Sequence, residues 1–329
     1  MVTIKDVAKL AGVAVSTASY ALSGKKKISE QTKQKVLEAA RQLNYQKNGF
    51  ASDLKKSKTN TVALILSDLS GPYYSEIIKG LQDVVVQNEY DLIASSSFGG
   101  SDSAAVKFLK EKRVDGAVVF AHNIPDEILL QSAREGFPIV VIDRTIKSEH
   151  IISVEVDNFH GGFMATKHLI EHGHKEIGFV SGPTNSYDNS LRFNGYLKAL
   201  SDSNLEYKSM WNISGGFTRE GGYRATKMIL SQKTMPTAIF FANDEMALGG
   251  IKAFEENAIR VPQDLSIIGF DDIQILEYAK PRLTTIKQPK YEMGALSGHL
   301  LFQALSGVET ESNYKLSAEL VKRETVKIL

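Results

Sequence analysis

Two rhythms of apolar residues divide the chain. Near the N-terminus, Ile4, Val7, Ala8 and Ala11 recur at three- and four-residue spacing and predict a short amphipathic helix. Thr3 stands at its start with Asp6 three positions on, the reciprocal pair of a capping box, and Gly12 closes it. A second helix, from about Val15 to Leu22, turns Ala18, Ala21 and Leu22 inward. Ser29 caps a third, whose stripe is Val36, Leu37, Ala40 and Leu43. Two short helices about a tight glycine turn, braced by a third, make a helix-turn-helix. The second helix of such a unit is the one that enters the major groove of DNA.

From Thr61 the rhythm changes. Val62–Leu66, Leu92–Ser95, Ala117–Phe120, Ile139–Ile142, Ile177–Val180, Ala238–Phe241 and Leu265–Phe270 are short apolar runs rich in β-branched residues. Helical stretches such as Tyr74–Asn88, Gly162–His172 and Glu245–Glu256 separate them. Unbroken apolar strands alternating with helices predict an α/β fold of parallel sheets covered on both faces. So long a segment exceeds one ordinary sheet, so two α/β subdomains are expected. Open parallel sheets bind ligands beyond the carboxyl ends of their strands, which directs attention to the residues just after each run.

Charge adds a second division. The chain of 329 residues carries a net charge of +1. Residues 1–60 hold 12 basic against 4 acidic side chains, and the remainder 27 against 34. A basic head on an acidic body suits a module that approaches a polyanion, although a solvated basic face would give the same count. There are no cysteines, which removes disulfides and thiolate metal sites. No apolar run approaches the ~20 residues that cross a bilayer, and Met1–Asp6 lacks the layout of a secretory signal. A cytoplasmic protein with no membrane partner is expected.

Particular motifs then narrow the reading. Residues Thr3–Val13 (TIKDVAKLAGV), followed by Ser16-Thr17-Ala18-Ser19, open the chain. Further along stand Leu43-Asn44-Tyr45, Gly173–Gly178 (GHKEIG), Ala242–Gly249 (ANDEMALG), Gly269-Phe270-Asp271-Asp272 and Leu283-Thr284-Thr285-Ile286. In this order and register the chain resembles the lactose-repressor (LacI/GalR) family of transcription regulators over essentially its whole length. The resemblance implies a DNA-binding headpiece at 1–45, a hinge at 46–59 and a core at 60–329 of periplasmic-binding-protein type. The core would divide into a subdomain of about 60–156 and 287–316 and another of about 157–286 and 317–329. The chain ends at Leu329 without the extra C-terminal helix of tetrameric members, so a homodimer is expected.

For DNA, the candidate contacts are Thr3, Ile4, Val15, Ser16, Thr17, Ser19, Tyr20, Lys27, Ser29, Tyr45, Asn48, Ala51 and Leu54. Hydroxyl side chains reach base edges or phosphates, and Val15 suits a thymine methyl. By resemblance, the hinge folds on the operator and Leu54 wedges into the minor groove. Several residues depart from the family. Tyr20 replaces a frequent Arg or His, Ala14 a capping Ser, and Lys47 a Pro. Gly49 and Asp53 weaken the hinge further.

For a small-molecule effector, the candidates are Tyr73, Tyr74, Asp143, Arg192, Phe217, Asn243 and Asp271, with Phe159 as another aromatic wall. A carboxylate facing an arginine brackets vicinal hydroxyls. Asp244 reads instead as a helix cap. The implied function is repression of a carbohydrate-utilisation operon under a sugar or sugar phosphate. A purine, or a phosphorylated carrier protein, is the alternative. His168-Leu169-Ile170-Glu171-His172 matches an inverted zinc-protease motif, but Gly173 ends that helix and its middle residues look buried. No catalytic residue, metal or cofactor is expected. A solute-binding protein would share the core, but not the basic headpiece.

Overall fold

The computed structural model describes residues 2–23, 28–46, 58–111 and 113–329. The chain forms two units, Met1–Thr59 and Asn60–Leu329.

The first unit holds helices α1 (Ile4–Ala11), α2 (Val15–Leu22) and α3 (Glu30–Gln42). Local chemistry sets their ends. Asp6 Oδ2 accepts from the Thr3 amide at 2.8 Å and from its hydroxyl at 2.7 Å. Gly12 takes the left-handed conformation at φ 66° that closes α1. Ser29 Oγ accepts from the Thr32 amide, satisfying one orphan donor of α3. Ala14 occupies the N-cap of α2 and supplies no such bond. Val7, Ala8, Ala18, Ala21, Val36, Ala39 and Ala40 form the buried core. Leu37, expected inside, is 36% exposed and lines a shallow groove with Leu22 and Tyr45.

The second unit is built on two six-stranded sheets. The first has the order β11-β5-β4-β3-β1-β2, all parallel. Its strands are β1 (Thr61–Leu66), β2 (Asp91–Ser96), β3 (Gly116–Phe120), β4 (Ile139–Ile142), β5 (Ile151–Val156) and β11 (Asn313–Leu316). Helices α4 (Tyr74–Gln87), α5 (Ala104–Lys110), α6 (Asp126–Ser132) and α11 (Lys290–Leu305) belong to the same half. Alternate residues of β1, β3 and β4 enter different clusters: Leu64, Val118 and Val140 one, Ile65, Val119 and Val141 the other. Cover on both faces explains why these strands read as unbroken apolar runs.

The second sheet runs β12-β10-β9-β8-β6-β7 and is parallel except for the β10–β12 pair. Its strands are β6 (Ile177–Ser181), β7 (Asn212–Ser214), β8 (Ala238–Phe241), β9 (Ser266–Asp271), β10 (Thr285–Lys287) and β12 (Glu319–Val321). Its helices are α7 (Asn158–Glu171), α8 (Tyr187–Asp202), α9 (Arg219–Leu230) and α10 (Asp244–Glu256). The chain passes between the sheets three times: after β5, after β10 and after β11.

The sequence pattern did not single out β5, β7, β10, β11 or β12. All five lie at or next to a sheet edge, and three of them, β7, β10 and β12, have only three residues, too few for periodicity to register.

Candidate functional site

On the first unit, α2 turns Ala18 and Ala21 inward and leaves Ser16 and Ser19 exposed, with Val15 and Tyr20 44% and 45% exposed. Thr17 is half-buried on the same helix. Thr3 and Ser29 are exposed at the starts of α1 and α3, while Ile4 and Tyr45 are half-buried against the helical core. The candidates Lys27, Asn48, Ala51 and Leu54, with residues 47–57 of the hinge, lie outside the described residues.

The second unit has a cavity of about 720 Å³ between its two halves. From the first half, Tyr73, Tyr74, Phe120 and His122 line it, and from the second Asp188, Arg192, Phe217, Asn243 and Asp271. Tyr73, Tyr74 and Phe120 meet edge-to-face with ring centroids 5.5–5.9 Å apart. Six of the seven sequence candidates for the effector thus come together.

Asp143 is the exception. It ends β4, but at φ 52° the backbone turns its carboxylate back into the protein, where Oδ1 accepts from the Val156 amide at 3.1 Å. Asp143 is 2% exposed and does not line the cavity. Its Oδ2 has no hydrogen-bond partner among the described residues. Burial, and then the nearby charge of Asp188, pushes its pKa up to about 7. Phe159, also proposed as a wall, is 38% exposed on α7 and does not line the cavity either.

Arg192 is held on every side. Its backbone on α8 lies against α7 at Gly162, where a Cβ would sit 2.2 Å from the Arg192 carbonyl oxygen. Nε donates to Asn158 Oδ1 at 2.8 Å, and Nη1 to the Ala242 carbonyl at 2.6 Å and to Asp271 Oδ1 at 3.4 Å. Among the described residues, Nη2 has only Asp188 Oδ2, at 3.6 Å, beyond hydrogen-bond reach. The guanidinium lies 3.9 Å over the Phe270 ring and 5.6 Å from that of Phe217. A buried cation needs such compensation, and here it leaves one nitrogen edge uncommitted toward the cavity.

Asp271 closes β9 with φ 116°, and Asp272 follows with φ 54°. Consecutive non-glycine residues at positive φ are strained, and such turns persist where neighbours over-determine them. Lys290 Nζ donates to the carbonyls of Asp271 at 2.5 Å and Asp272 at 3.0 Å, and Asp272 Oδ1 accepts from Arg323. Asp271 Oδ1 also accepts from Gln288 Nε2 at 2.7 Å, while Oδ2 has no partner among the described residues. Burial raises the Asp271 pKa to about 6 against the opposing pull of Arg192 and Lys290.

Asn243, not Asp244, caps α10: its side chain accepts from the Met246 amide at 3.0 Å. Its Nδ2 donates to the Phe217 carbonyl at 3.2 Å, fixing the loop that presents that ring. Asp244 is fully buried and accepts from Thr285 Oγ1 and the Ile273 amide, bracing the Asp271 turn from behind. Asp188, His122 and Gln288 were not among the sequence candidates. The (i, i+4) spacing of Asp188 and Arg192 on one helix was the available signal for the first.

The zinc-like motif resolves into packing. His168 is buried, its ring lies 4.1 Å from that of His172, and Glu171 is exposed. Burial lowers the His168 pKa to about 4.

Residues 3–48 match the model described as bacterial regulatory proteins, lacI family, and residues 166–326 that of a periplasmic binding protein-like domain. The HTH-type transcriptional repressor PurR of Photorhabdus laumondii is 38% identical over 332 residues, covering 99% of this chain and 97% of its own. The chain belongs to the lacI family. It is accordingly a DNA-binding transcriptional repressor of that family, and its relatives are repressors rather than enzymes. Among solved structures, the lac repressor dimer bound to operator and the anti-inducer ONPF is 28% identical, with TM-score 0.80 and 99% of each chain covered. The complex of the regulator CelR with cellobiose is also 28% identical, with TM-score 0.74, covering 99% of this chain and 100% of that one.

Proposed function

We propose that this repressor binds a pseudo-palindromic operator as a homodimer and that a sugar or sugar phosphate in the core cavity sets its DNA affinity. The carrying observation is the Arg192–Asp271 pair on the cavity wall, which among the described residues leaves Arg192 Nη2 as a donor and Asp271 Oδ2 as an acceptor. Adjacent donor and acceptor suit vicinal hydroxyls, and Tyr73, Tyr74 and Phe217 supply apolar faces for a ring. Related structures carry cellobiose and ribose, which supports a sugar-class ligand here. Val15, Ser16, Ser19 and Tyr20, exposed on α2, are the base and phosphate contacts of this reading. The lac repressor's dimeric state supports the same assembly for this chain. The ligand would act by altering how the two halves of each core close, and so the spacing of the headpieces.

A purine is the second reading. The aromatic walls stack on a base as readily as on a sugar ring, and relatives named PurR point the same way. Calorimetry of the full-length protein against sugars, sugar phosphates, nucleosides and purines, with and without operator, separates the two. A true effector changes operator affinity by the same factor that operator changes its own. Arg192→Ala should abolish ligand binding. Unchanged ligand affinity in that variant would overturn the assignment of the cavity.

A further inference from the structure

We infer that Asp188 makes this cavity selective for uncharged ligands, so that a neutral sugar or nucleoside is accepted and its phosphate ester is rejected. The inference rests on reading the cavity as the effector site, and deepens it. Five carboxylates line the cavity, those of Asp68, Asp188, Glu220, Glu245 and Asp271, against the guanidiniums of Arg192 and Arg219. Both guanidiniums already have their charge offset by carboxylates. Arg219 is engaged by both oxygens of Glu245, at 3.1 and 3.0 Å. Arg192 already faces Asp271 at 3.4 Å and Asp188 at 3.6 Å. The remaining candidate cation, His122, is pushed by burial toward its neutral form.

Asp188 holds the commanding position. It lies in the first turn of α8, where a helix N-terminus would otherwise offer its amides and positive dipole to a phosphate. Ser186 caps that helix for the Asn189 amide and donates its hydroxyl to Asp188 Oδ1, which fixes the carboxylate. Only 8% of Asp188 is exposed, and no described residue donates a hydrogen bond to Oδ2. Its charge is felt by Tyr73, Tyr74 and His122 across the cleft and by Asp271 beside it. A hydroxyl entering between Asp188 and Arg192 has both an acceptor and a donor to meet. A phosphate there meets a fixed negative charge, and the one cation beside it is already balanced by two carboxylates.

Calorimetric titration of the full-length protein with matched pairs tests this. The probes are D-ribose and ribose 5-phosphate, D-glucose and glucose 6-phosphate, and adenosine and adenosine 5′-monophosphate. In each pair that binds, the neutral member should bind at least about tenfold more tightly. Asp188→Asn should narrow that ratio to within about threefold, and Asp188→Glu should restore it, a pattern that loss of structure alone does not produce. A phosphate ester binding more tightly than its neutral partner to the wild type would overturn the inference while leaving the effector site in place. So would an unchanged ratio in Asp188→Asn. Binding by no member of any pair would overturn both readings.

Discussion

Tyr73 and Asp271 stand on opposite halves of the core and are joined through one amide. The Tyr73 hydroxyl donates to Gln288 Oε1 at 3.0 Å, and Gln288 Nε2 donates to Asp271 Oδ1 at 2.7 Å. Gln288 is fully buried and follows β10, on the second passage of the chain between the sheets. It therefore ties the aromatic wall of one half to the cavity-lining carboxylate of the other. Gln288→Ala leaves a buried hydroxyl without its acceptor and Asp271 with one donor fewer. The expected loss is about 1–3 kcal/mol of stability, read from urea unfolding. In Gln288→Glu a second carboxylate faces Asp271, and that variant should be the less stable of the two at pH 8.

The close approach of α7 and α8 sets where Arg192 stands. A Cβ at Gly162 would lie 2.2 Å from the Arg192 carbonyl oxygen, a backbone atom that cannot rotate away. Gly162→Ala should push the helices apart, costing about 1–3 kcal/mol and drawing the guanidinium off Asn158 and Ala242. Thermal unfolding should show a lower Tm, and ligand titration a weaker affinity, although residue 162 touches no ligand.

Two buried carboxyls make the core sensitive to pH. Asp143 is held at about 7 and Asp271 at about 6, both above the ordinary 3.8. Between about pH 4 and 7 the folded state keeps protons that the unfolded chain has released. Stability is therefore greatest at the acid end of this window and is lost as pH rises through the folded pKa values. For Asp143, the drop between pH 5 and 8 is about 2–3 kcal/mol. In Asp143→Asn, Oδ1 still accepts from the Val156 amide, and the drop should shrink by that amount. Unfolding midpoints in urea at the two pH values measure it.

The legible parts of this molecule are those set by neighbours in sequence. Thr3 with Asp6, Gly12 and Ser29 mark helix ends by bonds spanning three or four residues; α1 begins and ends, and α3 begins, where those signals lie. Arg192 and Asp271 were legible through the family resemblance, and the aromatics only as flat side chains that suit the wall of a cavity. What escaped depends on contacts between distant segments. Gln288 matters because Tyr73 and Asp271 flank it from 215 and 17 residues away. Asp143 has the strand-end position of a ligand contact, and only its positive φ turns it inward. Asp244 looks like a cap because a carboxylate before a helix usually is one, yet Asn243 precedes it and takes that role.

The face of α2 carries the last prediction. Val15 and Tyr20 are large side chains left 44% and 45% exposed on a helix whose Ala18 and Ala21 are buried. Truncating Val15 removes little packing, so Val15→Ala should leave stability within about 0.5 kcal/mol of wild type. Operator affinity should behave differently. If these side chains meet base edges, Val15→Ala and Tyr20→Ala each lose about 1–3 kcal/mol on a selected operator and far less on random duplex. Tyr20→Arg should instead move the preferred half-site toward guanine, since a guanidinium pairs bidentately with its major-groove edge and a phenol does not. Fluorescence anisotropy at one fixed salt concentration, on selected and random duplexes, separates the outcomes. Equal losses on both duplexes would place these residues on the phosphate backbone rather than on the bases.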